Sequence, residues 1–140
     1  MSLYTPQLYG PDPYASKSPV VGRVVAVLRG TTEQRGLQIT SYRSRAVPVG
    51  EIHELMITDE DASLESTVNR VALLAFFEIT SGGVVLIGDR VVAGEVDLGV
   101  VAGFDETHMP NHQNICLLGT WLDGADVGIE LDAVVQIVRE

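Results

Sequence analysis

The sequence predicts a mostly β fold: a small, closed or partly closed β-barrel with one short helix. Short runs of β-branched residues recur along the chain, and fourteen glycines supply positions for tight turns. Of the 140 residues, 46% are hydrophobic and 20% are charged, which is typical of a folded globular chain. That length is enough for one domain with a buried core, and we expect it at residues 20–140.

The first 19 residues predict an extended N-terminal arm. Residues 4–19 contain four prolines and three tyrosines. Proline at this density excludes a regular helix or a sheet ladder. Two interpretations stay open: an arm without packing partners, or an arm whose tyrosines pack against a neighbouring subunit.

From Val20 onward the pattern predicts short strands separated by turns. Alternation of apolar and polar residues over Leu37–Tyr42 indicates a strand with one solvated face. Gly88-Asp89 predicts the tight turn of a hairpin between Val84–Ile87 and Arg90–Ala93. The other predicted strands are Val20–Leu28, Gly36–Arg43, Ile52–Thr58, Val96–Gly103, Gln113–Gly119 and Ala133–Val138.

The short helix is predicted at about Ser63 to Arg70. Asp61 or Ser63 could cap its first turn. Apolar residues then follow at helical spacing, namely Leu64, Val68, Val71, Ala72 and Ala75. From Val71 onward the apolar run fits a buried strand equally well, and we favour a short helix that leads into a strand.

Charge is distributed unevenly along the chain. The formal net charge is −10, which argues against nucleic acid or an anionic membrane as the main partner, because both require a cationic face. Residues 1–50 carry +4 and residues 51–140 carry −14. These opposite signs favour self-association, and we therefore expect a homo-oligomer.

The lack of a targeting signal in the sequence and the presence of a single cysteine favour a cytoplasmic protein. Cys116 is the single cysteine, so no disulfide can form within the chain. The longest apolar run, Val71–Phe77, is far too short to cross a membrane, and the N-terminus lacks the pattern of a signal peptide.

The segment Asp105–Cys116 concentrates the groups that could bind a ligand. A helix would place His108, His112 and Cys116 on one face, but Pro110 interrupts it. We therefore expect a loop that runs into a strand, on which His112, Asn114 and Cys116 share a face. The candidate ligand-binding residues are Asp105, Glu106, His108, His112 and Asn114.

Histidines also suggest a metal site. In the strand Ile52–Thr58, His53 shares a face with Leu55 and Ile57 and is expected to point inward. The candidate metal ligands are His53, His108, His112 and Asp105, which together could hold a divalent metal such as zinc. The alternative is a set of hydrogen-bonded loop and core histidines without a metal.

The C-terminal part of the chain carries a family resemblance. Phe104-Asp105 is followed by Pro110, then by a turn with Asp126 and Gly128 and a final strand. This arrangement resembles the glucitol/sorbitol-specific IIA component of the bacterial phosphotransferase system. The resemblance implies a small β-barrel. The histidine that the family phosphorylates has no counterpart in residues 71–79, so no phosphotransfer residue carries over.

Three function classes follow from these observations. The first is a binding or structural module, self-associating, with a small-molecule site at the Asp105–Cys116 loop. The second is a metal-dependent enzyme that uses His108 and His112 as ligands, with Asp105 or Glu106 as acid or base. The third is a carrier similar to the sugar phosphotransferases.

Overall fold

A computed structural model describes residues 14–140. The predicted arm therefore lies mostly outside the described residues, as do its first two tyrosines. Its described end forms a turn at residues 14–16, and the Nζ atom of Lys17 lies 3.0 Å from the Oδ2 atom of Asp89. Both side chains of this ion pair are buried, so residue 17 is fixed to the body of the domain.

The described residues form twelve strands and one short helix, which confirms the predicted mostly β class. The strands are β1 (Val20–Val27), β2 (Thr31–Thr32), β3 (Leu37–Gln38), β4 (Ser44–Val47), β5 (Ile52–Thr58), β6 (Thr67–Val68), β7 (Val71–Ser81), β8 (Gly83–Leu86), β9 (Arg90–Ala93), β10 (Val96–Asp105), β11 (Asn114–Leu118) and β12 (Val134–Val138). The helix is α1 (Gly124–Val127). No helix among residues 14–140 has the length and apolar character that a membrane crossing requires.

One eight-stranded sheet forms the body of the domain, in the order β1-β12-β9-β10-β11-β5-β7-β2. A further pairing between β1 and β7 closes its hydrogen bonds into a ring, with β2 as a short addition to β7. The ring is not regular enough to be called a barrel. Within this sheet β5 and β11 run parallel, and the other pairs are antiparallel.

The two faces of the ring bury two separate cores. Leu55 and Ile57 of β5 pack in the larger core inside the ring, together with Phe77 of β7. Met56 points to the other face, where it packs with Cys116 beneath the small β3–β6 sheet. Strand β5 is therefore buried on both faces, and consecutive residues of it belong to different environments.

The helix predicted at residues 63–70 is wrong. Residues 64 and 65 form a turn, and β6 follows it and pairs with β3. Glu65 has a φ of 64°, outside the helical region. The apolar residues whose spacing favours a helix include Val68, which lies in the small β3–β6 sheet and is buried against Met56. The described helix lies at Gly124–Val127, capped by the Asp123 carboxylate, which accepts a hydrogen bond from the Asp126 amide.

The hairpin predicted around Gly88-Asp89 is also wrong, although the turn itself is present. Gly88 has a φ of 92°, as a tight turn allows for glycine. The strands on its two sides diverge, because β8 pairs with β4 while β9 pairs with β10 and β12. A turn signal thus predicts a change of direction without specifying the partners of the strands.

Candidate functional site

Two histidines meet at the loop that joins β10 to β11. The Asn111 and His112 amides donate hydrogen bonds to the His108 carbonyl oxygen at 2.9 and 3.3 Å, which closes a tight turn. The turn brings the His108 and His112 rings together in a stacked arrangement, with centroids 4.9 Å apart. The loop predicted through Pro110 is therefore present, and it arranges two imidazoles side by side.

Strand β5 brings a carboxylate to this pair. Glu54 is the register partner of Asn114 in the parallel β5–β11 pair, so its side chain lies on the same face of the sheet just beyond His112. The ligand atoms of Glu54, His108 and His112 all lie within 4.8 Å of one another. We call these three residues the Glu54 cluster. Glu54 is buried, His112 is half-buried and His108 is exposed.

The contacts of His112 define the chemistry of the cluster. Its Nδ1 atom lies 2.8 Å from Asn111 Oδ1, and its Nε2 atom lies 3.3 Å from Glu54 Oε1. A neutral ring that donates its Nδ1 proton to Asn111 turns an Nε2 lone pair toward the carboxylate. Phe76 contacts the ring edge-on at a centroid distance of 5.1 Å and so limits its rotation.

His53 lies on the other face of β5, as the alternation predicts, and forms a pair of its own. Its Nε2 atom lies 2.8 Å from Glu51 Oε1, and its Nδ1 atom accepts a hydrogen bond from the Gln113 amide at 3.0 Å. Burial lowers the pKa of His53 below the ordinary value, and the nearby Glu51 carboxylate offsets only part of this effect. Both ring nitrogens are occupied, and His53 does not join the Glu54 cluster.

Asp105 fixes the beginning of the loop. Its buried carboxylate accepts hydrogen bonds from the Gln38 amide at 2.8 Å, the Thr107 amide at 2.9 Å and the Asn114 side-chain amide at 3.0 Å. Burial by itself would raise the pKa of Asp105, but these hydrogen bonds outweigh it and the pKa lies below the ordinary value. With its oxygens used in this way, Asp105 holds the loop and is separate from the Glu54 cluster.

The remaining predicted ligand-binding residues have different environments. Asn114 is fully buried, and its Oδ1 atom accepts no hydrogen bond within the described part of the chain. Asn114 is the register partner of Glu54 in the β5–β11 pair. Glu106 is exposed and lines a groove together with Tyr42, Arg45 and Met109. Cys116 is buried in the smaller core, and burial raises the pKa of its thiol to about 12, as a packed cysteine requires.

Sequence reasoning missed two residues that define this region. Glu54 is a carboxylate in a mostly apolar strand whose faces are both buried, and this context is the signal that could have found it. Gln113 is fully buried, donates hydrogen bonds to Tyr42 and to the Asp105 carbonyl oxygen, and accepts one from Arg45. No local pattern distinguishes such a glutamine from a surface one.

Comparison with known proteins gives one family assignment. The model of a family of unknown function, DUF6917, matches residues 14–138. Neither the curated proteins nor the solved structures give a match.

Proposed function

The chain belongs to the DUF6917 family, and we propose that it is a metal-binding module that holds one divalent transition metal ion with Glu54, His108 and His112. The observation that carries the proposal is the convergence of the three ligand atoms within 4.8 Å of one another. Two come from a loop and one from a strand that is distant in sequence. Two imidazoles and a carboxylate form a ligand set typical of zinc and of other first-row metals.

The spacing of the ligand atoms suits a site that closes on its ion. Metal–ligand bonds of about 2.0–2.2 Å require ligand atoms roughly 3.4 Å apart in a tetrahedral site. The Glu54 and His112 atoms are already 3.3 Å apart. His108 is exposed, so its ring is the one with space to move toward them. Three protein ligands leave a coordination position open for water or a small molecule.

The polarity of the Glu54–His112 contact supports a cation between the two side chains. In the neutral tautomer that donates its Nδ1 proton to Asn111, the Nε2 lone pair and the Glu54 carboxylate oxygen, two acceptors, are 3.3 Å apart. Such an arrangement is stable only with a proton or a metal ion between the acceptors. Metal-bound histidines commonly donate their other ring proton to an oxygen, which is the role that Asn111 Oδ1 has here.

Burial of the Glu54 carboxylate is a second electrostatic argument for a bound cation. Its side chain is 8% exposed, and His112 is its ion-pair partner among the described residues, with no lysine or arginine within 4.0 Å. A buried carboxylate without a permanent counter-charge is costly. A divalent cation would supply that charge, in a part of the chain whose net charge is −14.

Metal titration of the full chain tests the proposal. Protein stripped with a chelator is titrated with zinc by calorimetry and with cobalt by visible absorption, which reports the coordination geometry. We expect one ion per chain. Glu54→Gln, His108→Ala and His112→Ala should each weaken binding by about 100-fold or more, because removing even an outer partner of a metal ligand costs 10–100-fold.

His53→Gln is the matched control for the metal titration. It removes a buried histidine from the neighbouring position of the same strand without touching the Glu54 cluster. We expect this variant to bind zinc with the affinity of the unmodified chain. The proposal is overturned if the unmodified chain binds no metal, or if the three cluster variants bind it as tightly as the control does.

A further inference from the structure

A groove next to the loop between β10 and β11 is the basis of a second inference, which is independent of the metal. Its volume is about 400 Å³, and it is lined by Tyr42, Ser44, Arg45, Ala46, Glu106 and Met109. We infer that this groove binds a small zwitterion of the α-amino acid class, whose carboxylate pairs with Arg45 and whose ammonium group pairs with Glu106. A second groove of about 380 Å³ adjoins it through Tyr42 and Glu106 and extends the space for a side chain.

Arg45 is held as an anion-binding group requires. Its Nε atom donates to Gln113 Oε1 at 3.0 Å, and its Nη1 atom donates to the Ala46 carbonyl oxygen at 2.9 Å. Both acceptors are neutral, so they orient the guanidinium without compensating its charge. An oriented guanidinium loses little conformational entropy when it binds a carboxylate, and its planar fork matches the two oxygens.

Arg45, like Arg29 and Arg35, has no carboxylate as an ion-pair partner among the described residues. Lys17, Arg23, Arg70 and Arg90 each contact one or two carboxylates. Among the described residues, no carboxylate lies within 4.0 Å of the half-buried Arg45 side chain. The sequence offers 19 acidic residues and only 9 basic ones. Because no carboxylate of the described residues compensates the Arg45 guanidinium, its charge is available to an anionic ligand.

Glu106 provides the opposite charge on the same groove. Within the described residues it has no lysine or arginine within 4.0 Å, so it is not paired with Arg45. Burial raises the pKa of the Tyr42 hydroxyl, and the negative charge of Glu106 adds to this effect, which indicates that the carboxylate lies close to the hydroxyl. Two opposite charges that share a groove without meeting are complementary to a ligand that carries both. Met109 and Ala46 add an apolar surface for its side chain.

Ligand-detected NMR of the full chain tests the inference, with chelator present so that the Glu54 cluster holds no metal. The probes are the proteinogenic α-amino acids, together with pentanoate and butylamine, each of which carries one of the two charges. We expect at least one amino acid to bind with a Kd of about 1 mM or tighter. Pentanoate and butylamine should bind at least about tenfold more weakly, because each lacks one charge-assisted contact.

Single substitutions test which side chain binds each of the two charges of the amino acid. Arg45→Gln and Glu106→Gln should each weaken binding of the amino acid by about tenfold or more, because each removes one ion pair. Arg35→Gln, which removes a charge away from the groove, should leave it unchanged. Glu106 is exposed, so its variant tests the site even if the loss of the Arg45–Gln113 contact impairs folding.

Two results would overturn the inference. One is the absence of binding by every amino acid in the panel. The other is equal binding of pentanoate and the amino acid, with no effect of Glu106→Gln, because the groove would then recognise a carboxylate alone. Neither result bears on the metal proposal, since the experiment is carried out without metal.

Discussion

The neighbouring residues His53 and Glu54 point to opposite faces of β5, and each belongs to a histidine–glutamate pair. The two pairs differ in the polar atoms that remain available to a ligand. In the His53–Glu51 pair, the histidine is 3% exposed and the glutamate 41% exposed, and both ring nitrogens have partners within the chain. In the His112–Glu54 pair both side chains are largely buried, at 12% and 8% exposure, and the Nε2 and Oε1 atoms lie 3.3 Å apart.

The two pairs share their residue types and differ in the partner of the second ring nitrogen, and the metal proposal rests on that difference. The Gln113 amide donates to His53 and fixes its tautomer with the proton directed at Glu51, so the pair is complete. The Nδ1 atom of His112 contacts Asn111 Oδ1, an acceptor, which favours the opposite tautomer and, under the metal proposal, leaves Nε2 and the Glu54 carboxylate to a cation. His108 lies on this side only, as the third member of the Glu54 cluster.

Asp105→Asn should have the largest effect on stability, because it loosens the loop that carries His108 and His112. The amide cannot accept all three hydrogen bonds that the carboxylate accepts, and it turns a donor toward other donors. We expect the free energy of unfolding to fall by about 3 kcal/mol. Asp97→Asn is the control, since Asp97 is an exposed residue on the same strand, and its loss should cost at most about 1 kcal/mol. Urea unfolding of metal-free protein measures both, and equal effects would contradict the role given to Asp105.

The Asp105 carboxylate also makes the free energy of unfolding depend on pH. The pKa of Asp105 in the folded chain lies below the ordinary value of about 3.9, so its charged form is stabilised by folding. That stabilisation is complete above the ordinary value and is lost as the pH falls through the folded pKa. Unfolding free energies measured from neutral pH into acid should therefore show the unmodified chain approaching the Asp105→Asn variant. A constant difference across that range would contradict the prediction.

Glu54→Gln and Glu51→Gln compare the two pairs directly. Without metal, Glu54→Gln should leave stability equal or higher, because it removes a buried charge and supplies a donor to His112. With zinc at 100 times its Kd, the unmodified chain should gain about 2.7 kcal/mol. The Glu51→Gln variant should share that gain, and the Glu54→Gln variant should lose most of it. Thermal melts with and without zinc measure both, and equal gains in the two variants would count against the metal site.

Phe76→Leu should have the smallest effect. The edge-on contact with His112 restrains the ring and contributes about 0.5–1.5 kcal/mol. We expect zinc affinity to fall by roughly 2- to 10-fold, with the stoichiometry unchanged. Calorimetry measures this change. A loss as large as that of His112→Ala would mean that Phe76 has a greater role than orienting the ring.

The sequence predicts much of the fold and two of the three residues of the Glu54 cluster. The β class and the loop through Pro110 follow from local signals, and His108 and His112 are close enough in sequence to be recognised together. Glu54 joins them only because β5 and β11 run side by side, and such pairing of distant strands leaves no local signal. The helix predicted at residues 63–70 is wrong for the same reason: β6 pairs with the distant strand β3, and this pairing overrides the helical spacing of the apolar residues.

The most direct test of the account is nitrogen NMR of the three labelled histidine rings, recorded during a zinc titration. Before zinc, we expect the proton of His53 on Nε2 and that of His112 on Nδ1. One equivalent of zinc should shift the His108 and His112 resonances, with the change for His112 at Nε2, and leave those of His53 in place. A shift at His53, or none at His112, would contradict the assignment of the open pair as the metal site.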